Sequence, residues 1–181
     1  NLIDVIYKKR KTKSKLFFSL DERVTGENHK SKIKKIVKEL KYYKSDYMFI
    51  SAPENVAWLL NIRGYDSPYS PIPNCRVIVA NDKKIFLVVN KNKISNIIKK
   101  KNYRNIKIID PSNFKSFIKN LKGKNFTIDQ LTCSVENENI IRSRFDIIGK
   151  TDPCYILKSK KNACEIKNMI NSHVEDGVAL T

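Results

Sequence analysis

The sequence predicts an α/β fold with a mixed sheet of about six short strands flanked by helices. Three observations carry this. Short apolar, β-branched runs recur along the chain. Stretches with helical spacing of apolar residues separate most of them. Two of the runs, "CRVIVA" and "KIFLVV", are divided only by Asn-Asp-Lys, a hairpin that breaks an otherwise regular alternation. At 181 residues the chain is long enough for one domain with a real core plus extensions. Its apolar fraction of 41% excludes a disordered chain.

Each element has its own warrant. "GENHKSKIKKIVKEL" places Ile33, Ile36, Val37 and Leu40 on one helical face, with Thr25 or Gly26 near its start. "YMFI" (47–50) reads as a strand. Pro53 opens a helix in "APENVAWLL", where its lacking N–H costs nothing, and Val56, Ala57 and Leu60 face inward. Trp58 is assigned to the core. The hairpin at 75–89 follows, then a short helix in "KISNIIKK" and a strand in "NIKIID". A helix is read in "PSNFKSFIKNLKG", opened by Pro111 and closed by Gly123. "NFTID" is a strand, "VENENIIRSRF" a helix, "DIIGK" a strand and "DPCYILKSK" an extended connection. A last helix starts near Asn162; Ile166, Met169, Ile170, His173, Val174, Gly177 and Leu180 line one side of it. No stop signal follows it, and the chain starts at Asn1. Both ends are therefore read as cuts in a longer protein.

The net charge is +18, mostly from lysine. A nucleic-acid interface concentrates Arg and Lys on one face with aromatics beside them. Here lysine accompanies nearly every segment, so a solvated, compositionally biased surface is the preferred reading. A basic binding module for an anionic partner such as nucleic acid is the alternative. No apolar run is long enough to cross a bilayer, and the basic start lacks the apolar stretch of a secretory signal. The basic run at residues 8–15 resembles a localisation tag, but a solvated linker is the preferred reading. The four cysteines show no CxxC spacing and read as idle thiols of a reducing compartment.

Catalytic and metal-binding chemistry finds little support. There are two histidines. His29 is placed on the polar side of its helix. His173 and Asp176 share a helix face, but two ligands do not make a metal site. The five glycines form no phosphate loop. No nucleophile elbow is present. Asp129 ends a strand and reads as a turn former. The specialised feature is the loop after Trp58, where Arg63, Gly64, Asp66, Pro68, Tyr69, Pro71 and Pro73 follow one another closely.

That loop carries a resemblance. "ENVAWLLNIRGYDSPYSPIPNCRVIV" resembles the segment of three-domain Xaa-Pro aminopeptidases, in the creatinase/prolidase group, where Ala-Trp-Leu-Leu-Asn leads into Arg-Gly-x-Asp-x-Pro-Tyr-x-Pro. The matching residues are Ala57 to Asn61, Arg63, Gly64, Asp66, Pro68, Tyr69 and Pro71. "NLIDVIY" is similar to the linker leaving that family's first domain, with Tyr7 where Trp is usual. "KNACEIKNMINSHVEDGVAL" is similar to the first helix of its catalytic domain.

The resemblance implies a creatinase/prolidase N-terminal-like middle domain at 22–158. It implies a linker from a preceding domain at 1–21, and at 159–181 the first helix of a following metallopeptidase domain. The parent would remove the residue before proline from peptide N-termini in the cytoplasm, using two divalent ions, usually Mn²⁺, held in the C-terminal domain. This stretch would hold neither metal ligands nor catalytic residues. Its partners would be the parent's own N- and C-terminal domains and peptides with proline second; a homodimer stays open, and no membrane is involved. Arg63, Asp66 and Tyr69 are the expected substrate-rim or domain-interface residues. The prolines stiffen the loop, Gly64 permits its turn, and Arg63 and Asp66 pair with each other or with a neighbouring domain. Docking two domains and touching substrate are both open roles.

Overall fold

The computed structural model describes residues 15–180. Its main sheet has six strands in the order β6-β5-β4-β2-β7-β8. They are β2 (Tyr47–Ile50), β4 (Arg76–Ala80), β5 (Ile85–Val88), β6 (Ile106–Ile109), β7 (Asn125–Ile128) and β8 (Asp146–Gly149). Strand β4 runs antiparallel to both its neighbours, β2 and β5, and the other pairings are parallel. The hairpin thus makes the sheet mixed, as the spacing predicts. Its connection puts Lys83 at φ 72°, and the Asp82 carboxylate accepts the Lys84 N–H at 3.1 Å.

Both faces of the sheet are covered, so central strands are apolar on both sides. Met48, Ile50, Val77, Val79 and Leu87 pack with α2 (His29–Tyr42) and α3 (Pro53–Leu60). Phe49, Ile78, Phe86, Val88, Phe126 and Ile128 pack under α5 (Phe114–Asn120) and α6 (Val135–Arg142). The remaining helices are α1 (Glu22–Thr25), α4 (Lys91–Ile94), α7 (Cys154–Ser159) and α8 (Ala163–Leu180). A two-stranded ribbon joins β1 (Phe18–Ser19) to β3 (Ile62–Arg63), antiparallel.

Several expectations are corrected. "DPCYILKSK" is not extended; it holds α7, because the buried Asp152 carboxylate takes the Cys154 N–H at 2.9 Å and fastens the first turn. Gly123 does not close α5, which ends at Asn120. At φ 140° it lies against Asp46, whose carboxylate binds the Lys124 and Asn125 N–H groups at 2.7 and 3.0 Å and starts β7. Pro111 opens a 3₁₀ turn ahead of α5. The short helix expected in "KISNIIKK" (93–100) lies earlier, at Lys91–Ile94, and turns follow it. His29 is buried, stacked on Tyr103 at 4.6 Å, and its Nε2–H donates to the Asn102 carbonyl at 3.1 Å. Burial lowers its pKa. Trp58 is half-buried at the edge of the core.

The expected linker at 1–21 lies partly outside the described residues. The described part is built into the domain: Phe17 is fully buried, its N–H donates to the Lys93 carbonyl at 2.8 Å, and β1 follows directly. The boundary at residue 22 therefore cuts through packed structure. Cys75, Cys133 and Cys154 are buried free thiols. Burial pushes the Cys133 thiol up to about 11, so its nucleophilic thiolate form is not expected near neutrality.

Candidate functional site

Helix α3 begins with Pro53 following an extended Ala52 and ends on Asn61, which sits in the left-handed region at φ 52°. Asparagine tolerates that conformation better than most residues. The turn redirects the chain into β3 and the proline-rich loop. It also buries the Asn61 side chain, whose Oδ1 accepts from Lys32 Nζ at 2.7 Å. Its Nδ2 donates to the Glu27 carbonyl at 2.8 Å and to Thr25 Oγ1 at 3.3 Å. Lys32 is 1% exposed; it also donates to the Trp58 carbonyl at 3.0 Å and lies 4.4 Å over the Trp58 ring. Burial lowers its pKa to about 8, against the opposing pull of Glu165 and Glu27.

The expected rim residues do not form one cluster. Arg63 is half-buried and turns back on its own backbone, donating to the Ala57 and Ile62 carbonyls at 3.0 and 2.9 Å. Burial lowers its pKa. Asp66 pairs with Lys93 at 2.6 Å, not with Arg63, and also accepts the Asn74 N–H at 2.8 Å. A side chain on Gly64 would meet the Phe17 ring and the Pro73 backbone at 2.9 Å. Tyr69 stands at the loop tip, fully exposed at φ 59°. The loop is thus pinned from beneath by Arg63 and Asp66, and it presents Tyr69 outward.

These ties give a stability prediction. Asp66→Ala removes the acceptor for one ammonium and one backbone N–H. It should lower stability by about 2 kcal/mol, read as a shift in the urea midpoint with unchanged slope. An unchanged midpoint would return Asp66 to the role of a free surface group.

The second specialised feature is α8. Asn162 and Glu165 cap it reciprocally: Asn162 Oδ1 accepts the Glu165 N–H and Glu165 Oε2 accepts the Asn162 N–H, each at 2.9 Å. Asn162 Nδ2 donates to the Thr25 carbonyl at 2.9 Å, and Asn168 Nδ2 to the Val24 carbonyl at 3.0 Å. Gly26, at φ 66°, leaves room for the approach; a Cβ there would lie 2.3 Å from Asn162 Oδ1 and 2.8 Å from Cys164 Cβ. Beyond this anchor the apolar side chains of the helix are exposed. Ile166, Met169, Ile170, Val174 and Val178 are 46–72% exposed.

Sequence reading missed the junction formed by Lys32, Asn61, Thr25, Gly26 and Asn162. The left-handed cap at Asn61 and the Asn-x-x-Glu box at 162–165 were legible signals. That a lysine of α2 would reach Asn61 was not. Among the described residues no three His, Cys, Asp or Glu side chains are grouped to hold a metal ion. His173 lies exposed on α8, outside any such group of three. Asp129 is buried and structural, accepting the Leu131 and Asp152 N–H groups at 3.0 and 2.8 Å.

Known proteins share this architecture. The Creatinase/Prolidase N-terminal domain family profile matches residues 8–165. The chain belongs to this family. It is 34% identical over 170 residues to Xaa-Pro aminopeptidase 1 of Dictyostelium discoideum, covering 93% of this chain and 26% of that protein. It is 30% identical over 147 residues to Xaa-Pro aminopeptidase ApepP of Drosophila melanogaster, covering 78% of this chain and 24% of that one. An X-prolyl aminopeptidase from Caenorhabditis elegans, described as a cytosolic enzyme with a di-nuclear active site, superposes with a TM-score of 0.84 at 25% identity. That match covers 99% of this chain and 30% of the nematode protein. The chain therefore spans about a quarter to a third of these relatives. The crystallised N-terminal domain of a metallopeptidase from Corynebacterium diphtheriae shares the fold (TM-score 0.52, 14% identity); the match covers 68% of this chain and 97% of that one.

Proposed function

We propose that this chain is the non-catalytic middle domain of a metal-dependent Xaa-Pro aminopeptidase, and that it supports and caps an active site carried by a following domain. The observation that carries the proposal is α8. A helix fastened to the domain by one end, with its apolar face in solvent, is built to continue into another packing unit. The share of each relative that the chain covers supports the same reading. The residues present do not fit a metal pair, since no ligand cluster exists among the described residues. Two divalent ions, with Mn²⁺ as the proposed metal, would therefore belong to the following domain, and no chemical step falls to this chain.

Its contribution is positional. Arg63 and Asp66 hold the loop from inside, so Tyr69 at the tip is the residue offered to a neighbouring domain or to a peptide end. A rim held rigid before binding limits the freedom lost on docking and orients what it touches. The substrates would be peptides with proline second, and the site of action the cytoplasm. The test is direct. The chain alone, given Arg-Pro-Pro and Mn²⁺, should show no hydrolysis above buffer. Hydrolysis that co-purifies with the folded chain would overturn the assignment of the chemistry to another domain.

The basic-module alternative has less support. The lysines occur in α2, α4, α5, the 99–107 segment and α8 and are not confined to one element.

A further inference from the structure

We propose that the cavity beside Arg76 is a binding site for a small monocarboxylate with an apolar body. The inference rests on this cavity alone and is independent of the peptidase reading. The cavity holds about 430 Å³. It lies at the carboxyl ends of the parallel strands: Phe49 comes from β2, Val88 ends β5, Ser112 follows β6 and Ser134 follows β7. Arg76 is the first residue of the antiparallel β4, directly opposite Val88, so its side chain reaches the same end of the sheet. In open α/β sheets this is the end at which connecting loops leave a crevice for ligands.

The decisive observation is the state of Arg76. Among the described residues, five lysine and arginine side chains are not exposed: Lys32, Arg63, Arg76, Lys93 and Lys158. Four of them hold oxygen acceptors at 2.6–3.0 Å. Lys32 bonds Asn61 and the Trp58 carbonyl, Arg63 two carbonyls, Lys93 Asp66 and Lys158 Asn55. The guanidinium of Arg76 has no acceptor and no ion pair among the described residues. A half-buried fork of N–H donors without a partner is matched by a carboxylate, which it binds through two parallel hydrogen bonds.

The rest of the lining sets the ligand class. Phe49, Val88, Phe114 and Ile140 form apolar walls that suit an aliphatic or aromatic body. Charge is limited: Lys115 adds a second cation at the rim and Glu136 a carboxylate, which leaves a single net positive charge. That balance favours one monoanionic head over a phosphate or a polyanion. The same chemistry is offered by a free short-chain acid and by the C-terminal carboxylate of a small peptide.

Both are titrated against the 181-residue chain by calorimetry at constant ionic strength, using 4-methylpentanoate and acetyl-Leu-Leu. Saturable binding with a Kd on the order of 1 mM is expected for at least one of them. The neutral 4-methylpentanamide and inorganic phosphate should both bind at least about tenfold more weakly. Arg76→Gln should lose about tenfold or more, and Arg76→Lys, which keeps the charge without the fork, should fall between. Lys101→Ala, an equal loss of charge elsewhere, should stay within about twofold of the parent. If Arg76→Gln does not fold, the acid–amide comparison and Arg76→Lys still decide. Absence of saturable carboxylate binding would overturn the proposal. So would equal affinity for acid and amide, tighter binding of phosphate, or equal losses in the Arg76 and Lys101 variants.

Discussion

Replacing Asn61 with leucine should lower the stability of the domain by about 4 kcal/mol. The side chain removed is the only side-chain oxygen bonded to Lys32 Nζ among the described residues, and it also satisfies the Glu27 carbonyl. Lys32 itself is 1% exposed. Leucine takes from the buried ammonium one of its two oxygen acceptors, a hydrogen bond to a charged group that contributes about 1.5–3 kcal/mol. Leucine would in addition have to adopt the left-handed conformation at φ 52°. Urea unfolding of Asn61→Leu against the parent measures the sum. A loss under about 1 kcal/mol would show that water replaces Asn61 and that Lys32 is not the buried charge its geometry indicates.

The same lysine dictates a pH dependence, and its sign follows from linkage. Burial holds the Lys32 pKa at about 8 in the folded chain, below the ordinary value of 10.5. Between those values the unfolded chain binds more protons at this site, so the contribution of this site to stability rises with pH across that window. The ceiling is about 3 kcal/mol. Lys32→Met has no such proton to lose. The difference in stability between parent and Lys32→Met should therefore shift in the parent's favour from pH 8 to pH 10.5. A constant difference would mean that the ammonium is well solvated in the folded state.

Gly26→Val is the second large effect. The position combines φ 66° with Asn162 Oδ1 and Cys164 Cβ inside any Cβ's normal contact distance. A β-branched residue there meets both obstacles, and the conflict is relieved only by moving the start of α8. Overpacking together with left-handed strain is worth about 3 kcal/mol. That corresponds to roughly a 100-fold rise in hydrogen exchange at the Ile166 N–H, which donates to the Asn162 carbonyl at 3.0 Å. Exchange within Val77–Val79 of the central strand β4 should not change. If Ile166 keeps its protection, α8 is not held through Gly26. In the proposed parent enzyme this variant should lower kcat/KM by about tenfold or more, because α8 would carry the catalytic domain's position relative to the loop.

Much of the fold is legible in the sequence because its signals are local. The apolar, β-branched runs of β4 and β5, the Pro53 start of α3 and the apolar spacing in α2 each arise from residues a few positions apart. The loop signature at 57–71 is equally legible, and the matched family profile agrees with the resemblance it carries. Where the sequence misleads, the deciding contact mostly comes from far along the chain. Gly123 is shaped by Asp46, and Phe17 is fastened by Lys93. The stretch "DPCYILKSK" is different in kind, since the Asp152 cap on Cys154 spans only two residues and is a local signal.

The site divides in the same way. That Arg63, Asp66 and Tyr69 belong to one stiff loop follows from the sequence, because proline, glycine and charge are packed into one short stretch. Which of them faces outward does not follow. Arg63 is drawn to the carbonyls of Ala57 in α3 and Ile62 in β3 and Asp66 to a lysine of α4, and neither partner is predictable from spacing. The lone guanidinium of Arg76 is invisible in the sequence for the converse reason. A sequence shows that a cation is present, but only the folded chain shows whether an acceptor has been brought within reach of it.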